Sequence, residues 1–134
     1  MARLWIVIFA CVFCCASCRP AEPEFAVLDV HVDAGSEQLA AYQFELRMKH
    51  AEIVGVEGGD GVFGAPPEYD PAALRQGRIV IASFTLDDAP TGRVLVARLH
   101  VMVSSRESYS PLAVVAARPG GERIEVHVTV ERVE

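Results

Sequence analysis

Gly59-Asp60-Gly61-Val62-Phe63-Gly64 has the spacing G-x-G-x-x-G. In a dinucleotide site such a turn follows a strand and opens a helix whose amino end faces a pyrophosphate. Here Ala65-Pro66-Pro67 comes next. Two prolines, lacking amide protons and holding their predecessors extended, forbid a helix at that place. The segment reads as a Gly-rich connecting loop, and no nucleotide is expected. His50-Ala51-Glu52 spells H-x-E, but the paired cysteines that complete a deaminase zinc site are missing from the body of the chain. The sequence contains no G-x-S-x-G, H-E-x-x-H or P-loop. The enzymatic alternative left open is a small hydrolase built on two carboxylates, which geometry alone would select. The reading is non-enzymatic.

Imidazoles and carboxylates are the metal ligands this sequence offers. His31, His100 and His127 fall at polar positions of alternating segments, and three imidazoles meeting on adjacent strands would suit zinc. An outward strand position is also an ordinary place for a lone histidine. Whether the three converge is a question for the fold. Asp60, Asp70, Asp87 and Asp88 lack the regular spacing of a calcium loop and read as solvated turn carboxylates. No metal or cofactor is expected. The long connection 58–77 is the candidate ligand-contact loop, because long loops on rigid scaffolds often carry function. Its contact residues are Asp60, Phe63 and Tyr69, with Glu68 and Asp70 as polar neighbours. The competing expectation is that Phe63 or Tyr69 folds back over an end of the core, since exposed apolar rings are costly without a partner.

All four cysteines, Cys11, Cys14, Cys15 and Cys18, sit near the amino terminus. Cys11 and Cys14 form a C-x-x-C inside an apolar run, with no polar neighbour to stabilise a thiolate, so redox or zinc chemistry is not inferred. That run, residues 4–16, follows Arg3 and is 13 residues long. A spanning helix needs roughly 18 or more apolar residues, a signal-peptide core only about 7–15. Ala16-Ser17 before Cys18 resembles the lipobox of bacterial lipoprotein signal peptides, although Cys15 stands where Leu is usual. The resemblance implies a diacylglyceryl group on Cys18, which would become the mature amino terminus. The expected organisation is a signal peptide at 1–17, a lipidated start and tether at 18–24, and a single domain at 25–134. The expected location is the bacterial cell envelope, anchored by lipid. Secretion after cleavage at Ser17 or Ala21, and an uncleaved anchor, are the alternatives.

The domain carries no cysteine, so burial alone must hold it together. The chain has 134 residues, 51% hydrophobic and 22% charged, which is too apolar for intrinsic disorder and sized for one domain. Eighteen Asp and Glu against twelve Lys and Arg give a net charge of −6. Phosphate backbones are bound through basic surfaces, so no nucleic-acid partner is expected.

Those residues must be positioned by strands, because the dominant period is two. In 25–32, Ala26, Leu28, Val30 and Val32 share a face. Tyr42, Phe44, Leu46 and Met48 alternate with Gln43, Glu45, Arg47 and Lys49. Segment 53–57 is a shorter candidate. In 78–86 the shared apolar set is read as Val80, Ala82, Phe84 and Leu86, and in 93–103 as Leu95, Ala97, Leu99, Val101 and Val103. Segments 112–117 and 123–133 complete seven candidates. Asp70, Pro71 and Gly77 signal one short helix, with cap, first position and stop in order. The fold expected is all-β: a two-sheet antiparallel β-sandwich with one short helix.

Two stretches, LAAYQFELRMKHAEIVGVEGGD at 39–60 and GRIVIASFTLDDAPTGRVLVARLHVMV at 77–103, resemble cohesin domains and related carbohydrate-binding sandwiches in the pattern and order of their elements. The resemblance implies a nine-stranded jelly-roll, for which this chain is short, and assigns no binding residue. Cohesins bind dockerin modules, so it implies a non-catalytic recognition module for a protein partner in the envelope. A carbohydrate- or polysaccharide-binding module is the alternative. Sugar platforms rely on exposed aromatics, often Trp. The sole Trp, Trp5, lies in the apolar leader.

Overall fold

The computed structural model describes residues 22–134. The signal-peptide and Cys18 assignments lie outside the described residues. Strand β1 is Glu24–Asp33, β2 Ala41–Gly58, β3 Glu68–Tyr69, β4 Arg78–Phe84, β5 Arg93–Ala117, β6 Arg123–Ile124 and β7 His127–Arg132. All are hydrogen-bonded in one antiparallel array, ordered β3-β4-β2-β5-β1-β7 with β6 beside β5.

The length of two strands turns this array into a sandwich. Straight, the 25 residues of β5 would run about 80 Å, against roughly 35 Å across a domain of this size. So β5 and the 18-residue β2 must fold over. The corner is at His50, in the left-handed region at φ 59°, opposite a stretch of β5 in which the pairing jumps from Ser108 to Val103. On one side of the corner, residues 41–49 of β2 pair with β4 and with residues 108–117 of β5. On the other, residues 51–58 pair with residues 97–103 of β5, and β1 and β7 extend that side. These are the two layers, A and B. Their inner faces meet: the Tyr42 hydroxyl in layer A donates to the Val96 carbonyl in layer B at 3.2 Å.

The core follows the alternation. Ala26, Leu28, Val30 and Val32 of β1 are buried, as are Tyr42, Phe44, Leu46 and Met48 of β2. Two expected faces need correction. In β4 the buried residues are Ile79 and Ile81, so Val80, Ala82 and Phe84 point outward, and Phe84 is 69% exposed. In β5 an extra residue at Val96 breaks the register with β1, so Val94 and Val96 are inside and Leu95 is half-buried. Such a bulge reverses which parity faces inward.

Four expected strands merge into the two long ones, and segment 123–133 divides between layers, β6 against β5 and β7 against β1. The helical expectation is met by a 3₁₀-helix, Pro71–Gln76. Its cap is as the sequence implies: the Asp70 carboxylate accepts from the Ala72 amide at 2.9 Å, and Gly77 ends it at φ 66°. A second 3₁₀ turn, Gly61–Phe63, lies where the sequence reads as loop.

Candidate functional site

The expected contact loop does not present its three residues together. Phe63 is 1% exposed, its ring edge-on to Tyr42 at 5.3 Å. That corrects its assignment as a ligand contact: an aromatic next to an open sandwich end gains more by burial than by display. Asp60 stays at the surface beside layer B, where its amide donates to the Leu95 carbonyl at 2.9 Å. Tyr69 sits on β3 at the edge of layer A, opposite Ile81, and is 37% exposed.

The same turn shows why the glycines are there. A side chain at Gly59 would strike the Leu95 carbonyl at 1.9 Å, and one at Gly58 the Gly64 carbonyl at 2.2 Å. The amides of Gly59, Asp60, Phe63 and Gly64 donate to the carbonyls of Phe63, Leu95, Asp60 and Gly61. Amides spent on the chain's own carbonyls make no phosphate cradle.

The outer face of layer B carries the histidines in separate partnerships. Arg93 approaches His31 Nδ1 at 3.2 Å and pairs with Glu131 at 2.6 Å. The His100 ring stacks on Phe25 at 5.7 Å and passes over Gly55, where a Cβ would touch it at 3.4 Å. Glu57 lies 3.1 Å from His100 Nε2, near enough for an ion pair but out of line for a hydrogen bond. His127 is exposed on β7, opposite Asp33. Arg98 grips both Asp29 oxygens, at 2.7 and 3.3 Å. That hydrogen-bonded cation holds the Asp29 carboxyl below the usual carboxylate range, against the opposing effect of burial. Arg93 acts likewise on Glu131. On this face arginines are paired with carboxylates, Arg93 with Glu131 and Arg98 with Asp29. Among the described residues no three His, Cys, Asp or Glu side chains converge as metal ligands.

Layer A is different. Across its outer face, Ala41 lies between Phe84 and Ala117, Gln43 between Ala82 and Val115, and Glu45 between Val80 and Leu112. Phe84 is 69% exposed, and Leu112 and Val115 are each 39% exposed. Leu86, in the turn after β4, is 92% exposed. Beside Leu112, at one end of these apolar residues, Glu45 is held as a carboxylate by Arg47 at 2.6 Å, with Arg78 at 3.8 Å. The result is a face of exposed apolar residues flanking Gln43 and Glu45. Segment 78–86 is apolar at both parities, so its sequence does not assign Phe84 to this face.

No protein-family model matches the chain, and no curated protein matches it. Among solved structures, the non-cellulosomal cohesin from the hyperthermophilic archaeon Archaeoglobus fulgidus superimposes with a TM-score of 0.65 at 9% sequence identity. The match covers 78% of this chain and 75% of that one. The fold is cohesin-like. At that identity the likeness concerns the path of the backbone, while the side chains on the cohesin-like scaffold are this chain's own. Its surface depressions are shallow. One of about 470 Å³, beside the strand corner, is lined by Met48, His50, Glu52, Met102 and Ser104 among others. Among the described residues the exposed rings do not form a platform: Phe25 belongs to layer B, Phe84 to the outer face of layer A, and Tyr69 to its edge.

Proposed function

We propose that this protein is a non-catalytic recognition module that engages a protein partner through the outer face of layer A. The observation that carries the reading is the group of exposed apolar residues Phe84, Leu112 and Val115 on either side of β2. Monomeric surfaces rarely keep contiguous apolar area without a use for it, and interface centres are apolar with a polar rim. The cohesin-like fold supports the reading, since the neighbour is itself described as a cohesin. Asp60, beside layer B, and Tyr69, opposite the inward-facing Ile81, lie off this face and are not part of the proposed contact. A polysaccharide ligand is less well served, because stacking on a sugar chain asks for rings in a row.

We further propose that Cys18 carries the lipid that holds the module at the envelope, with 19–24 as its tether. No helix among the described residues is long and apolar enough to cross a membrane. The acidic domain would then stand off an anionic surface. Two experiments test these readings. A photo-reactive residue at Phe84 should cross-link one discrete envelope protein, and Val115→Glu should abolish the adduct. The same probe at Arg98, on layer B, should not give it. Equal labelling from both faces would overturn the assignment. Cys18→Ser should abolish labelling by a palmitate analogue, and label persisting in that variant would refute the anchor.

A further inference from the structure

Three sheet edges are protected and one is not. On β4 the edge is covered by β3, which pairs Glu68 with Ala82 and Tyr69 with Ile81. On the outer half of β5 the edge carries Pro111 and a bulge at Ala113, at φ 50°. Proline and a bulge are the usual defences against pairing by another chain. In layer B, the β2 edge is bent by a register shift between Ile53 and Gly55. Strand β7 is the last of its layer, pairs with β1 alone, and has neither proline nor bulge.

The direction of its free groups follows from one bond. The Val133 amide donates to the Val27 carbonyl at 2.9 Å, so odd-numbered residues of β7 face β1. By alternation, the amides and carbonyls of Val128, Val130 and Arg132 face away, toward no strand among the described residues. Another antiparallel strand must bond through these three. We propose that its source is the β7 of a second copy, arranged about a two-fold axis through Thr129.

That register is self-complementary. Val128 lies opposite Val130 of the second copy, and the reverse, so the two cores continue through the junction. Val128 is 5% exposed and Val130 half-buried against the core. On the outer face, His127 lies opposite Glu131 of the second copy, twice by symmetry, and both are exposed. Thr129 meets its own counterpart, a favourable cross-strand pair. Centring the axis on Val130 instead sets Arg132 against Val128 and loses the His–Glu pairs. The side-chain pattern thus favours the register through Thr129, in which Glu131, held by Arg93 in its own chain, also meets His127 of the second copy.

Thr129 pairs with its counterpart at a non-hydrogen-bonded position, where facing Cα atoms are about 4.5 Å apart, within reach of a disulfide. The test is oxidative cross-linking of full-length Thr129→Cys in membranes of expressing cells, read on non-reducing gels. The unsubstituted chain controls for the native cysteines, and Arg47→Cys, exposed on layer A, for chance collision. The expected result is a reducible dimer several-fold above both controls. It should fall to control level when Val130→Pro is added, which removes an amide the domain itself does not use. His127→Glu in the Thr129→Cys chain should also reduce the dimer, and the further change Glu131→His should restore it. A Thr129→Cys yield no higher than the controls overturns the proposal, as does a yield indifferent to Val130→Pro. A hetero-partner strand on β7 would give the first of these outcomes.

Discussion

Phe84 and Phe44 are the same residue type on neighbouring strands with opposite roles. Phe44 is fully buried and Phe84 is 69% exposed. Phe44→Ala should lower unfolding stability by about 3–5 kcal/mol, as for other buried aromatics. Phe84→Ala should change it by less than about 0.5 kcal/mol while weakening partner capture. Urea denaturation measures both. The role of Phe84 was not legible because 78–86 is apolar at both parities: Ile79 and Ile81 compete with Val80, Ala82 and Phe84, and the aromatic tipped the reading the wrong way. Pairing with β2 decides it, since Ile79 and Ile81 lie opposite the buried Leu46 and Phe44. Asp29 gives the pH prediction. Its carboxyl is held below the ordinary value of 3.8 in the folded chain, so the Arg98 pair stabilises above about pH 4. That contribution is lost as pH falls through the folded value. Asp29→Asn should be less stable than the parent at pH 7, and the two denaturation midpoints should converge below pH 4.

At the scale of elements, single-faced alternation made β1 and the outer half of β2 readable, burial matching expectation residue by residue. What was hidden is continuity. Residues 104–111, SSRESYSP, fall between two strand candidates, yet they carry β5 around the corner of the sandwich, where solvent reaches the strand. A corner exposed on its outside needs polar residues, so its composition imitates a loop. Its counterpart on β2 is His50, a non-glycine in the left-handed region. That conformation costs an L-residue roughly 1–2 kcal/mol, and Gly is free of the cost. His50→Gly should therefore leave stability unchanged or raise it by up to about 1 kcal/mol, checked by thermal unfolding. A clear loss would show that the imidazole makes a contact that matters. The contact loop was half legible. Its glycines were recognised as turn formers, but the close approach of Leu95 to Gly59 comes from β5, some 36 positions further along the chain. Gly59→Ala should destabilise strongly, by several kcal/mol, as overpacking against backbone does.

For the molecule as a whole, the division of labour between the two outer faces was not in the sequence pattern, because both faces alternate alike. Layer B pairs arginine with carboxylate internally, as Arg93–Glu131 and Arg98–Asp29. Layer A leaves exposed apolar residues unanswered. Raising salt should thus disturb binding at the layer A face little, since apolar contact is not screened. Affinity for the partner, measured between low and moderate salt, should change by less than tenfold.

The two long strands also fix how this protein comes apart. Because the same pair of strands runs through both layers, neither layer has a separate existence, and cutting the backbone at the outside of the turn severs a shared beam. A single protease nick after Arg106 should collapse the whole domain at once, where a nick in an ordinary surface loop would leave it standing.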